Sequence, residues 1–523
     1  MSEFTNPSAG PPQAGFDPLG GSDAVLRGRG ADIHPGQLVM VNIEGTRLDA
    51  EQAAFLREHH IRAVCLFRWN LGSEAEVRQL TADLREAMGE HALIGLDQEG
   101  GSVVRVTFLP QAPAAMALGA AGNASLAEVV GEAVARGLRS LGFNWNFAPV
   151  LDVNNNPDNP VIAERSFGED PDDVARLAGA WMRGALREGV ACCVKHFPGH
   201  GDTHVDSHFE LPVVDKSRAE LEVLEFRPFE RLKDEAPAMM TAHIVYPQLD
   251  PEHPATLSRK VLGGLLRDAW KYDGVVITDS LVMKAIHERY GHDRAAVLAL
   301  QAGADMVMAL GPRDDQLAAV RAIAAAQASG ALTPLQLLKA RARLDALAER
   351  FPVRPSDYAG LKREADDRLM RRAWAASLTA IGAPKPPRID QPLRVFTQRG
   401  VPSDGVSEAG LPGAQVASLF PRFSDVDIVQ LDDLDKLDWA SIPQDGRTTL
   451  VVSNHRDRYG ESSRHWRPDL HLVLWNPFQV LDVAAPALVT WGYAPGALDA
   501  LRAWLDGRGP APGHAPVRLT AAS

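Results

Sequence analysis

At 523 residues the chain exceeds what one ordinary hydrophobic core organises, so two domains are expected. A formal charge of −13 disfavours nucleic acid or an anionic membrane surface as partner, and no apolar run is long enough to cross a bilayer. Cys65, Cys192 and Cys193 all sit in apolar, strand-like runs and read as buried small hydrophobes, not as a disulfide framework or zinc site. The adjacent pair should point to opposite faces of one strand.

Residues 1–33 are rich in Gly, Pro, Ser and Asp and carry no basic segment followed by an apolar one, so a flexible tail without a secretory signal and a cytoplasmic protein are expected. From Gly36 a rhythm of short apolar strand, polar turn and amphipathic helix begins. Strands are predicted at 38–43, 63–67, 92–96, 144–147, 191–194, 238–241, 275–277 and 306–310, with helices such as 74–88, 127–141, 171–187 and 293–302 between them. This alternation implies a parallel sheet, and about eight units predict an α/β fold, a (β/α)₈ TIM-type barrel over 34–352. The rival is an open doubly wound sheet. No dinucleotide fingerprint or phosphate-cradling GxxxxGK[ST] loop follows the first strand, and no cofactor is expected.

Polar residues gather at the predicted strand ends: Asp97-Gln98-Glu99, then Asp152, Asn159 and Glu164-Arg165, then Lys195-His196, His243 and Thr278-Asp279-Ser280. In a barrel these converge at one mouth, which argues for an enzyme. After the fifth strand runs KHFPGHGDTHVDSH, residues 195–208. His196, His200, His204 and His208 recur every four residues, a metal-ligand spacing on a helix. Pro198, Gly199 and Gly201 break helices, so the segment is a loop and no metal is expected. Asp206 and His208 can instead form an acid/base dyad in which the carboxylate favours imidazolium; the alternative is ordinary loop capping. Asp279 ends an apolar strand, where it is either chemical or the N-cap of the next helix.

KHFPGHGDTHVDSH, with VITDSLVMKAI around Asp279, resembles the glycoside hydrolase family 3 β-N-acetylglucosaminidases, the NagZ-type enzymes of cell-wall recycling. The resemblance implies a retaining exo-enzyme in which Asp279 is the nucleophile and His208, oriented by Asp206, is acid/base. It implies that Asp97 accepts bonds from sugar hydroxyls, that Arg165, Lys195 and His196 donate to the same ring, and that Arg105 gives a supporting contact. For Arg105 and Arg165 a structural salt bridge is the alternative. The implied substrate carries terminal β-GlcNAc, as in muropeptides or chitooligosaccharides, with no metal, nucleic acid or membrane partner. Two positions depart from the family pattern: Ser102 stands where Arg is usual, and Ser280 where Asp is common. A phosphorylase or β-glucosidase of the same family, a barrel metallohydrolase and an inactive sugar-binding protein remain as rivals.

Beyond the barrel, helices at 333–351 and 363–378 lead to a Pro-rich hinge at 384–387, within a helical linker over 353–387. Strand-like runs at 393–397, 428–431, 450–452, 472–475 and 488–491 and a helix at 495–505 predict a small αβα sandwich over 388–523. Its ionisable residues form no motif, so interface support or shaping of the pocket is expected of it, not catalysis. Oligomeric state is left open.

Overall fold

The computed structural model describes residues 33–206 and 211–519. Eight strands form a closed parallel barrel: β1 (Val39–Val41), β2 (Ala63–Cys65), β3 (Leu93–Leu96), β4 (Trp145–Asn146), β5 (Ala191–Phe197), β6 (Ala238–Thr241), β7 (Val275–Ser280) and β8 (Met306–Met308). Each strand pairs with its neighbour in sequence, and β8 returns to β1 through the register Val39↔Val307. The strands are buried on both faces, which is why they read as continuous apolar runs without alternation. The outer helices start where the sequence supplies a cap. Ser73 with Glu76 and Thr333 with Gln336 form capping boxes for helices Glu74–Met88 and Pro334–Arg350, and Asp170 caps Pro171–Arg187. The TIM-type barrel is therefore present, and the open-sheet rival is excluded by its closure.

The cysteine pair divides between the faces of β5. Cys192 Sγ lies 3.9 Å from the Met182 carbonyl in the helical layer, whereas Cys193 is close enough to Lys195 and Asp97 to feel their charges. Among the described residues no helix is long and apolar enough to cross a membrane.

Helix Leu361–Ser377 leads into a six-stranded second sheet: β9 (Thr379–Ile381), β10 (Leu393–Gln398), β11 (Val426–Leu431), β12 (Thr448–Ser453), β13 (Leu470–Val473) and β14 (Ala487–Val489). The order is β9-β14-β13-β12-β10-β11, with β9 the antiparallel edge. Helix Pro495–Leu505 covers one face through Leu501 and Leu505, while short 3₁₀ turns around Leu434 and Trp466 cover the other. A mixed apolar cluster joins the two sheets' domains: Met116 and Ala117 of the barrel pack with Trp374, Val473 and Trp491.

Candidate active site

A cavity of about 100 Å³ opens at the C-terminal end of the barrel strands. Cys65, Phe147, Met240 and Met308 contribute apolar wall from four strand ends, and Asp97, Lys195, His196 and Asp279 contribute polar groups from three others. Arg105 and Arg165 also line it. The structure thus brings Asp97, Arg105, Arg165, Lys195, His196 and Asp279 to one cavity. Asp206 is half-buried and near enough to His200 to act on its charge. His208 lies outside the described residues.

The polar wall is a chain of buried ion pairs. Lys195 Nζ lies 2.6 Å from Asp97 Oδ1 and 2.6 Å from Glu99 Oε1. Arg165 donates through Nε and Nη2 to the two oxygens of Glu99, each at 2.9 Å, the bidentate geometry that suits a guanidinium. Burial works against the charge of Glu99, but Arg165 and Lys195 outweigh it and hold the carboxyl well below the usual carboxylate range. Burial likewise opposes the Lys195 ammonium, and Asp97 and Glu99 together raise its pKa. The salt-bridge alternative therefore describes Arg165, which is paired with Glu99 and at the same time lines the cavity.

A second set of bonds fixes the loop after β5. Asp152 Oδ2 lies 2.7 Å from His196 Nδ1, and its Oδ1 accepts from the backbone N–H of His196 at 3.1 Å and of His200 at 2.7 Å. With Nδ1 tied to Asp152, Nε2 is the His196 nitrogen left to meet a ligand. Asn159 Nδ2 donates to the carbonyls of His200 and Gly201 at 2.9 and 3.0 Å, and Asn156 Nδ2 to that of Thr203 at 3.1 Å. Gly201 is required by this packing, since a Cβ there would lie 1.7 Å from the Val153 carbonyl oxygen. His196 and His200 are thus held by hydrogen bonds. Among the described residues, the single group of three candidate metal ligands within reach of one ion is Asp250, Glu252 and His253, on a different loop.

Asp279 sits at the tip of β7, half-buried, with Oδ1 accepting from the Ser280 N–H at 2.7 Å. His243 Nε2 donates to the Ser280 carbonyl at 2.9 Å, so this histidine anchors the backbone beside Asp279. The bond gives His243 a structural role.

The second domain reaches the cavity. Gly405 and Val406 line it, and Val406 packs with Val103, Val161 and Ile162. Arg105 Nη1 donates to Glu408 Oε1 at 3.0 Å and lies 3.7 Å from Asp97 through Nη2. Ser102, the departure from Arg, donates to Glu164 at 2.6 Å, and Trp475 Nε1 of the second domain donates to the same oxygen at 2.7 Å. Ser102 therefore sits on the seam between domains. Glu99, Asp152 and Glu408 were not singled out from the sequence. Glu99 and Asp152 stand inside quoted strand-end motifs, but a carboxylate two positions after another gives no sign of which cation it meets. Glu408 meets a partner 303 positions away and carries no local signal. Glu408→Ala should leave the Arg105 guanidinium with only its longer contact to Asp97 and lower kcat/KM about tenfold, roughly 1.4 kcal/mol. Unchanged kinetics in steady-state assays would remove Glu408 from the account.

His200 gives the site a pH dependence. Burial, followed by the neighbouring His196, pulls its imidazole down to about 4. An unfolded histidine titrates near 6.5, so below that value the unfolded chain binds a proton that the folded one refuses. Stability is full above pH ~6.5 and falls by roughly 3 kcal/mol as pH drops towards 4. Glu99 and Asp152 have depressed pKa values, so their contributions are present above the unfolded carboxyl range and are lost only as pH falls through the lower folded values. Thermal unfolding followed from pH 8 to 4 should show the first decline, and His200→Asn should flatten it; a wild-type profile level down to about pH 4.5 contradicts this.

A closed barrel with buried acids and bases at its mouth defines a TIM-barrel enzyme acting on a polar substrate. The chain belongs to glycosyl hydrolase family 3: the model of the family's N-terminal domain matches residues 32–347, and the protein is a glycoside hydrolase. It is 37% identical over 307 residues to a beta-hexosaminidase of Pseudomonas aeruginosa, covering 58% of this chain and 91% of that protein. The structure of a family 3 beta-N-acetylglucosaminidase from Paenibacillus sp. str. FPU-7 superposes with a TM-score of 0.81 at 32% identity, covering 94% of this chain and 99% of that one. A fungal multi-domain family 3 beta-N-acetylglucosaminidase gives a TM-score of 0.82 at 27% identity, covering 94% of this chain and 61% of that one.

Proposed function

We propose that the protein is a retaining exo-β-N-acetylhexosaminidase that removes terminal β-GlcNAc from muropeptides or chitooligosaccharides, with residues 34–352 as the catalytic unit. The observation that carries the reading is that Asp279 shares one small cavity with Asp97, Lys195 and Arg165, so a carboxylate faces a ring of groups suited to sugar hydroxyls. The apolar wall from Val103, Val161, Ile162 and Val406 offers a surface for an acetamido methyl group. A cavity this small, capped by the second domain, suits one sugar unit at a chain end.

In the first step an Asp279 carboxylate oxygen bonds to the anomeric carbon and the bond to the leaving oxygen breaks, while His208 gives that oxygen its proton. In the second step His208 takes a proton from water, the water oxygen bonds to the anomeric carbon, and the bond to Asp279 breaks. Two displacements on one carbon return the β configuration. Asp206 holds the His208 tautomer and favours imidazolium. Asp97 accepts hydroxyl protons; Lys195, Arg165 and His196 donate to the ring; Arg105 supports Asp97.

The test is leaving-group dependence. His208→Ala should lower glycosylation of a chitobiose-type substrate by about 10²–10³-fold, yet spare an activated nitrophenyl glycoside, whose leaving group needs no proton. Equal losses on both substrates would remove His208 as the acid. The same assay with and without phosphate, read for GlcNAc-1-phosphate, separates hydrolysis from phosphorolysis.

A further inference from the structure

At the opposite pole of the barrel, where the strands begin, lies a second cavity of about 340 Å³. Arg57 at the end of helix Ala50–Glu58, His60 just beyond it, Arg62 before β2, His91 before β3 and Arg341 on helix Pro334–Arg350 all line it. They face one carboxylate, Asp345. This local excess of cations runs against a chain whose formal charge is −13.

Three of the five basic groups converge on that carboxylate: Arg62 at 2.5 Å, with His91 and Arg341 each at 3.5 Å. Arg57 and His60 have no acidic partner among the described residues. Arg62 is buried. Its Nη2 donates to the carbonyls of His91 and Leu344 at 3.1 and 3.4 Å, while its Nε is buried with no hydrogen-bond partner among the described residues. A buried N–H without an acceptor costs about 1–3 kcal/mol.

Part of the cluster has a local cause, since cations at a helix C-terminus complement its dipole. That accounts for Arg57 and His60 but not for Arg62, His91 and Arg341, which arrive from three other elements. His60 adopts a φ of 53° and stacks on His34 with ring centroids 3.5 Å apart, so its imidazole is held at the rim. Burial, then the neighbouring His34 and His59, keep its proton affinity below the ordinary value.

We propose that this cavity binds a small tetrahedral dianion, inorganic phosphate or the phosphate of a phosphomonoester. Guanidinium forks match such oxygens in a way that a single carboxylate does not exhaust. The site is remote from Asp97, Lys195 and Asp279, which stand at the strands' other ends, so the anion acts by bracing the starts of β2 and β3 and supplies no reactant.

The experiment is thermal unfolding of the full chain with millimolar inorganic phosphate or glycerol phosphate, against sodium chloride of matched ionic strength. Phosphate should raise Tm saturably by about 2–3 °C where chloride does not. Arg57→Ala combined with Arg341→Ala, two accessible side chains outside the core, should abolish the rise and leave glycosidase activity unchanged. A larger saturating shift with glycerol phosphate assigns the site to phosphomonoesters, and an equal or smaller one to free phosphate. No phosphate-specific rise, or the same rise in the double variant, overturns the proposal.

Discussion

Asp279→Ala should lower kcat on a nitrophenyl β-GlcNAc glycoside by about 10⁴-fold or more, some 5 kcal/mol of transition-state stabilisation. The size follows from losing the atom that forms the bond to the anomeric carbon, a loss that no neighbouring hydrogen bond restores. The fold should survive, because Asp279 is half-buried at the tip of β7 and its nearest backbone anchor is the Ser280 carbonyl held by His243, which the substitution leaves in place. Azide, small enough to enter the vacated space, should restore part of the turnover and give a glycosyl azide of inverted configuration. Near-normal turnover without azide would contradict the role.

The second large effect is expected of Lys195→Met, and it falls on stability as well as activity. Lys195 is 2% exposed and bonds Asp97 and Glu99 at 2.6 Å each. Removing one partner from a buried ion network leaves uncompensated charge, which costs about 3–5 kcal/mol. Arg165 still neutralises Glu99, so Asp97 carries most of the loss. Tm should fall by several degrees and kcat/KM should collapse together with it. Adding Glu99→Gln should cost less than the sum of the two single changes, since the residues share one network. Strict additivity in a double-mutant cycle would show that they do not.

The barrel was legible because its strands are buried on both faces. The apolar runs at 63–67, 191–194 and 238–241 became β2, β5 and β6, with β5 extending through Lys195-His196 to Phe197. Helices Glu74–Met88 and Pro171–Arg187 were legible from their amphipathic pattern between strands, and the structure adds a capping box and an Asp170 cap at their starts. The edge strand Thr379–Ile381 was not, because three residues at the end of a helix carry no periodicity. Asp97, Lys195, His196 and Asp279 were legible as mouth residues because strand-end position directs a side chain there, whereas Arg105 and Arg165 were placed at the site only by the family resemblance. The partners of these residues were not legible. The pairing of Glu99 with Arg165 and of Asp152 with His196 depends on loops that cross between strands, and Glu408 comes from the other domain. Ser102, read from the sequence only as a departure at the pocket's edge, has its partners in Glu164 of the barrel and Ser407 of the second domain, where the two domains meet.

The central claim is a covalent bond between sugar and Asp279, and the most direct measurement is to trap it. A 2-acetamido glycoside with a good leaving group and a fluorine slowing the second step should accumulate as glycosyl-enzyme, and peptide mass mapping should place the added mass on the fragment containing Asp279. Label on another carboxylate, or turnover with retained configuration and no label on the protein, would contradict the account, the latter by pointing to the substrate's own acetamido group as the nucleophile.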